Sequence, residues 1–322
     1  MAPVKISVAV AARPNVSPED ELRTAVLADR LGYGELWVGE GWVWDAFALA
    51  TAIGKATERI AMTVGPLPVQ VRDPATIARA AASTAALARR PVGVALGTSS
   101  VRMVEGMHGR SRRRAVTALA ESARTVRAFL SDGEAHVDGE VVSAHYRLRL
   151  DPPGGPLTVA AFGDRAIAVA AQHADRMVLD LVSPELAREY RAKLDMLAKR
   201  AGRQAPRLAA WIPAAVDPDP ESYAQLMQSL AGYLEVAGYA EMFTAAGLGR
   251  AVELAHAEAD REELLNALPP EAAAKLGLVG DTDAIGARLE AYAAGLDEVV
   301  LVPATAGDPG GERTLTALAA FA

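Results

Sequence analysis

The sequence predicts a (β/α)₈ (TIM) barrel, and three observations carry that expectation. Short β-branched runs alternate with amphipathic stretches along almost the whole chain. Eight of those runs can be counted. Ser-Pro and Asp-Pro pairs open several of the intervening stretches, where a cap followed by Pro at the first helical position starts a helix. Strict strand–helix alternation requires a parallel sheet with right-handed crossovers. Eight near-regular units favour closure into a barrel over an open doubly wound sheet. The 322 residues fit one barrel domain with insertions over 1–322.

The first run, VKISVAV at 4–10, reads as a buried strand. Ser17-Pro18-Glu19-Asp20 then caps a helix whose apolar positions Leu22, Val26 and Leu31 keep helical spacing until Gly32 and Gly34 stop it. ELWV at 35–38 is the second strand and RIAMTV at 59–64 the third, after which Asp73-Pro74 opens a helix through Leu87. VGVAL at 92–96 is the fourth, followed by a long amphipathic helix over 112–130. LTVAAF at 157–162, a helix over 164–173 and MVLD at 177–180 continue the rhythm. Ser183-Pro184-Glu185 starts a helix to about residue 200, and LAAWIPAA at 208–215 is the seventh strand. A helix over 281–294, the strand EVVLV at 298–302 and a helix over 310–322 complete the pattern.

Two stretches break the alternation. Residues 134–150 hold the turn Asp138-Gly139 between polar and β-branched residues, which predicts a hairpin insertion. Residues 221–276, rich in Ala, Leu and Met, are too long for one helix and predict a helical insertion between the seventh and eighth strands.

Composition removes several function classes. With 51% apolar and 23% charged residues the chain can bury a large core. A net charge of −7 argues against nucleic acid as a partner. The absence of Cys excludes disulfides, thiolate metal sites and Cys nucleophiles. Residues 1–10 lack a signal-peptide core and no apolar run has the length of a membrane span, so a soluble cytoplasmic enzyme is the expectation. The five His (His108, His136, His145, His173, His256) lack metal-ligand spacing. Neither a nucleophile elbow, a P-loop nor a dinucleotide-binding glycine motif is present.

Barrels of this kind place their chemistry at the C-terminal ends of the strands. Those ends are residues 10–14, 39–45, 65–70, 97–100, 162–165, 180–183, 213–217 and 303–305. Gly39 and Gly41 flank Glu40, Gly65 precedes Pro66, and Gly97 precedes Thr98-Ser99-Ser100. One such Gly is ordinary turn chemistry. Three on one rim allow a planar ligand or an oxyanion to approach the backbone. Gly163-Asp164-Arg165 opens a helix where amide N–H groups and the guanidinium would suit a phosphate, with the Asp164 carboxylate read as the cap. Glu40, Glu105 and His108 are the candidate proton donors, with Glu40 ranked first. Trp42 and Trp44, two tryptophans in one strand-end loop, suggest an apolar substrate wall as readily as packing.

The residues also resemble a known family. Thr57-Glu58-Arg59-Ile60 and Arg72-Asp73-Pro74 look like the T-x-R-I and R-x-P segments of luciferase-like oxidoreductases. Gly97-Thr98-Ser99-Ser100, Val104-Glu105-Gly106 and His108-Gly109 resemble a stretch of the branch that uses coenzyme F420, such as methylenetetrahydromethanopterin reductase. Gly280-Asp281-Thr282 and Gly295-Leu296-Asp297-Glu298 are similar to its last helix–strand unit. The likeness spans nearly the whole chain and is weakest over 222–276. It implies a deazaflavin ring in the barrel mouth with its phosphate tail outward, Gly39, Gly65, Pro66, Gly97, Thr98, Ser99, Gly163, Asp164 and Arg165 being the cofactor-binding candidates. It also implies a cis peptide bulge behind the ring at the end of strand three, which falls here on Gly65-Pro66 or an adjacent bond. The histidine that some F420-dependent dehydrogenases carry after strand two is replaced by Glu40-Gly41-Trp42. The implied activity is hydride transfer to or from a small organic substrate. The alternatives are an FMN-dependent monooxygenase on the same barrel and a non-catalytic flavin-binding protein, with a sugar-phosphate isomerase further off. Substrate and oligomeric state stay open, a homodimer being the form such barrels commonly take.

Overall fold

The computed structural model describes residues 4–11, 16–234, 236 and 238–322. Residues 12–14 of the first strand end lie outside the described residues. The first half runs β1 (Lys5–Val10), α1 (Pro18–Leu31), β2 (Glu35–Val38), α2 (Ala46–Ala56), β3 (Ala61–Pro68), α3 (Pro74–Ala88), β4 (Val92–Gly97), α4 (Ala115–Asp132) and the strands β5 (Glu134–Asp138) and β6 (Ser143–Arg147). The second half runs β7 (Gly154–Ala160), α5 (Asp164–His173), β8 (Arg176–Asp180), α6 (Pro184–Arg200), β9 (Arg207–Val216), α7 (Pro220–Leu234), α8 (Ala240–Phe243), α9 (Gly249–His256), α10 (Arg261–Ala267), α11 (Ala272–Leu276), β10 (Leu278–Gly280), α12 (Thr282–Ala293), β11 (Glu298–Pro303) and α13 (Glu312–Leu318). Strands β1, β2, β3, β4, β7, β8, β9 and β11 pair in that order, all parallel, and β11 returns to β1. The ring is closed. These are the eight strands that the alternation predicted.

Local chemistry explains where the helices start. Ser17, Asp45, Asp73, Ser183 and Asp281 each accept a backbone N–H three residues on. Helix α2 was not legible as amphipathic, because AFALATAIGKA is apolar on nearly every face. Helix α4 starts at Ala115 rather than 112, and a π-helical turn, Arg102–Met107, precedes it. The reason is that Arg112 is spent on the loop: its Nε donates to Ser99 O at 2.9 Å.

Strands β5 and β6 pair antiparallel from Glu134↔Arg147 to Asp138↔Ser143. Their loop is residues 139–142 rather than the two-residue turn suggested by Asp138-Gly139. The Glu121 carboxylate of α4 organises it, accepting from Glu140 N, Val141 N and Val142 N at 2.8–2.9 Å. Between β9 and β11 lie α7 to α11 and the three-residue β10, which pairs with β9 and is too short to show periodicity. Among the described residues no helix is long and apolar enough to cross a membrane.

The barrel interior is filled in layers. At the N-terminal end the buried Arg176 bonds Glu35 (2.8 and 3.0 Å), Glu298 (2.7 Å) and Thr63 (2.8 Å). Lys5 joins Glu35 at 2.5 Å, and Ser7 and Trp37 Nε1 donate to Glu298 at 2.7 and 3.1 Å. Two cations face two carboxylates, which is how a charged cluster survives out of water. The Trp37 ring covers Arg176 at 4.1 Å, and Trp211 meets Trp37 edge to face with centroids 6.0 Å apart. Charge and indoles thus plug the barrel from below.

Candidate active site

Strand alternation decides what lines the mouth. Above Trp37 the inward positions of β2, β3, β4 and β7 pass through Gly39, Gly65, Gly97 and Ala160. A Cβ at Gly97 would stand 3.3 Å from Pro66 Cβ and 3.5 Å from Ala160 Cβ. One at Gly39 would meet Ala11 O at 2.8 Å and the Trp211 ring at 3.3 Å. Gly65 has φ +120°, and a Cβ there would lie 2.3 Å from Ala95 O, so no other residue fits. The Gly65–Pro66 peptide is cis, and the β3–β4 register slips between Val64 and Leu67. The bulge thus falls at the position the sequence marked. One side of the mouth is a collar of the smallest side chains.

The facing wall is different. Trp211 reaches from β9 across to Gly39 as the floor; it is 8% exposed, and its Nε1–H has no partner among the described residues. Beside it, Asp180 ends β8 in register with Trp211. Tyr239 Oη donates to Asp180 Oδ2 at 3.1 Å, and Tyr233 is a second hydrogen-bond partner. Rings of Phe162, Tyr233 and Phe243 surround Tyr239 at centroid distances of 5.0, 5.1 and 5.7 Å. Burial among these rings pushes the Asp180 carboxyl up to about 6, and the hydrogen bonds from Tyr233, Tyr239 and Leu181 N only partly oppose it. The phenols are raised well above their ordinary value, Tyr233 chiefly by the Asp180 charge and Tyr239 chiefly by burial. Sequence reasoning named 180–183 as a strand end but passed over this carboxyl. Its signal, an acid as the last inward residue of a barrel strand, was available; the phenols, more than fifty residues away in the chain, were not.

The three proposed donors fare differently. Glu40 does reach the mouth, but Arg72 Nε and an Arg72 terminal nitrogen hold its two oxygens at 2.6 and 3.0 Å. Ala46 N adds a third donor at 3.1 Å, and Arg72 also reaches Asp45 at 2.6 Å. Every one of these contacts needs an acceptor, so Glu40 is a brace between the β2 and β3 ends. Burial raises Asp45, but the Arg72 and Ala48 bonds outweigh it and hold this carboxyl below its usual range. Glu105 is exposed in the π-helical turn and accepts Arg112 N at 3.0 Å. His108 is exposed at the end of that turn.

Of the two tryptophans, Trp44 packs half-buried against the main core. Trp42 is 46% exposed with the Arg102 guanidinium 5.0 Å over its ring, which ties the β2 and β4 loops together. Thr98 Oγ1 and Ser99 O are both engaged by Arg112, at 3.3 and 2.9 Å. Gly163, not Asp164, occupies the cap position of α5 without a side-chain bond, and space beside it is open. Asp164 instead pairs with Lys193, and Arg165 is exposed. Among the described residues no cluster of His, Asp and Glu could hold a metal.

The described site is thus a plugged parallel barrel whose small-residue collar faces an acid and an indole. The chain belongs to the luciferase-like monooxygenase family, whose model matches residues 1–298. A Mycobacterium tuberculosis (strain ATCC 25618 / H37Rv) protein described as a coenzyme F420-dependent oxidoreductase is 24% identical, the alignment covering 94% of each chain. In fold the chain is similar to the coenzyme F420-dependent tetrahydromethanopterin reductase of Methanopyrus kandleri (TM-score 0.83, 16% identity, 99% and 98% of the two chains covered). It is equally similar to an F420-dependent secondary alcohol dehydrogenase solved with an F420-acetone adduct (TM-score 0.81, 18% identity, 99% and 98% covered). An FMN-bound type II Baeyer–Villiger monooxygenase of Pseudomonas putida shares the fold at TM-score 0.70 and 16% identity, with 98% and 97% covered.

Proposed function

We propose that this protein is a coenzyme F420-dependent oxidoreductase that moves a hydride between the deazaflavin and a small organic substrate, in the sense of C=C, C=N or C=O reduction or its reverse. The observation that carries the reading is the collar of Gly39, Gly65, Pro66, Gly97 and Ala160. It brings bare backbone up to Trp211, whose buried indole N–H lacks a partner among the described residues. A tricyclic ring with polar edges suits that chemistry: backbone supports its face, and a donor waits at its rim. The F420-dependent relative supports the choice of ring.

The collar residues would hold the ring, with Thr98 and Ser99 beside it. The amide groups opening α5 at Gly163 and the Arg165 guanidinium would receive the tail phosphate, the Asp164 charge being offset by Lys193. Trp42 would face the substrate from the rim. A bound reduced deazaflavin supplies a hydride. The protein's own work is to align the acceptor, exclude water and supply a proton.

FMN chemistry is the second reading, because the same fold binds FMN in the camphane-oxidising neighbour. Side-by-side fluorescence titrations decide between them. Tighter binding of F420 than of FMN is expected, and FMN binding at least as tight as F420 would sink the cofactor assignment.

A further inference from the structure

The helix α7 is stapled to the barrel rim at both ends. Near its start, Gln225 Oε1 accepts Thr305 N and Ala306 N at 2.7 and 3.1 Å, beyond the end of β11. Near its end, Tyr233 bonds Asp180 at the end of β8. Fifteen residues of helix span about 22 Å, enough to cross this side of the mouth. The chain then turns back and delivers Tyr239 to the same carboxyl. A segment added to a barrel need not return twice to one acid in order to pack.

The groups around Asp180 are of one kind. Tyr233 and Tyr239 face it from the insertion. Tyr190 of α6 meets Phe162 edge to face, and the charges that act on Tyr190 are Glu241, Glu189 and Asp164. All three are negative. Among the described residues no Lys, Arg or His bonds this carboxyl, whereas Glu40 on the opposite side of the mouth is clasped by a guanidinium. An acid with only phenols and ring edges for company holds its proton to a higher pH than an acid in water does.

We propose that Asp180 is the catalytic acid of this site, that Tyr233 and Tyr239 position it, and that the 221–276 insertion is therefore a working part of the active site. The inference rests on the reading of the chain as an oxidoreductase. Reduction of a C=C, C=N or C=O bond adds one hydride and one proton to the substrate. The reduced deazaflavin is the source of the hydride and is itself oxidised. Asp180 breaks its O–H bond to give the proton to the second atom and is left as the carboxylate. Solvent returns the proton before the next turn.

The carboxyl can be followed in the cofactor-free protein by infrared titration of wild type, Asp180→Asn and Tyr239→Phe. Wild type is expected to show a carboxyl band that disappears with a midpoint near 6, and Asp180→Asn to lack it. Tyr239→Phe should keep the band with a higher midpoint, because the lost phenol bond favoured the ionised form. No carboxyl titrating above about pH 5, or one that survives in Asp180→Asn, overturns the proposal. Single-turnover oxidation of reduced F420 then tests the role, using whichever of 2-cyclohexen-1-one, acetone or 1-pyrroline wild type reduces fastest. Asn still accepts a phenol bond, so an acid used only as an anchor would lose no rate in Asp180→Asn. A catalytic acid should lose about 10²–10⁴-fold with F420 affinity unchanged. A rate within about threefold of wild type, far short of that general-acid loss, overturns it. Failure of F420 to bind removes the cofactor reading and leaves the infrared titration to decide this one.

Discussion

Glu40 can be a brace or an acid, and Arg72→Met separates the two. The guanidinium lies against both Glu40 oxygens at 2.6 and 3.0 Å and against Asp45 at 2.6 Å. The Glu40 and Arg72 side chains are 10% and 18% exposed, so the pair stands between two regimes. Exposed pairs couple by less than about 1 kcal/mol, while breaking a desolvated, hydrogen-bonded pair costs about 2–5 kcal/mol. A fork contact at this burial should couple by about 2 kcal/mol. Glu40→Gln keeps the shape but turns an amide N–H toward a guanidinium, so it breaks the same contact as Arg72→Met. Each single variant should therefore lose about 2 kcal/mol of stability, and the double variant no more than either alone. Both should weaken F420 binding about tenfold, a cost of about 1.4 kcal/mol, because the β2 and β3 ends that frame the collar lose their tie.

The assay is a double-mutant cycle in urea, with F420 titrations and single-turnover rates on the same four proteins. Glu40 is a brace if the two variants behave alike. A coupling below about 0.5 kcal/mol would refute that. So would a turnover loss of about 10²-fold in Glu40→Gln with Arg72→Met at the wild-type rate, which would restore Glu40 as the acid. Because Asp45 is held below its usual range, its share of the clamp is present above its unfolded value and is lost only as pH falls below about 4.

Gly97→Val places methyl groups where Pro66 Cβ and Ala160 Cβ stand 3.3 and 3.5 Å from the new Cβ. F420 affinity should fall by about tenfold or more, the cost of about 1–3 kcal/mol typical of overfilling a packed space, with circular dichroism unchanged; unchanged affinity in titration would return Gly97 to turn chemistry alone. Arg176→Met leaves Glu35 and Glu298 with Lys5, Ser7, Thr63, Trp37 and the half-exposed Arg207, 3.9 Å from Glu298, as their remaining donors and cations, so urea unfolding should show a loss of about 3 kcal/mol near neutrality. In wild type, burial pushes Glu35 up but Arg176 and Lys5 bring it down to about 2, so its stabilisation is present above its unfolded value and is lost as pH falls toward 2. In Arg176→Met the buried carboxylates lose their only buried cation among the described residues and keep the more exposed Lys5 and Arg207, which reverses that sign, and the deficit should shrink as pH falls; a deficit independent of pH would mean the network's charges do not matter.

Much of the fold was legible because its signals are local. Eight short apolar runs and the caps Ser17, Asp73, Ser183 and Asp281 sit where strands and helices begin, and each needs only its own neighbours. What was missed lacks a period or depends on distant contacts. Helix α2 has no polar face, β10 is three residues long, and the 139–142 loop is shaped by Glu121 from the preceding helix. At the site, the glycines were readable because close backbone approach demands that residue type, and Gly65 with its positive φ is the plainest case. The surroundings of the acids were not. Which acid is braced and which is free depends on Arg72, Tyr233 and Tyr239, and sequence distance to Glu40 or Asp180 says nothing of that contact.

The same argument explains why the two sides of the mouth do different work. A ring that must lie flat needs backbone on one face, and β2, β3, β4 and β7 supply it by ending their inward rows in Gly or Ala. Strands that expose so much backbone cannot also carry free acids, since any acid there must be tied down to keep the loops apart, as Arg72 ties Glu40. The opposite wall has bulk to spare: Trp211, Phe162, Tyr233, Tyr239 and Phe243 pack there, and packing of that kind removes water from whatever polar group it surrounds. A carboxyl so placed rises above its usual range with no cation bonded to it among the described residues, and β8 ends on one. On the proposed reading, ring support and proton supply fall on opposite sides of the barrel, and a substrate lying between them would meet the hydride from one side and the Asp180 proton from the other.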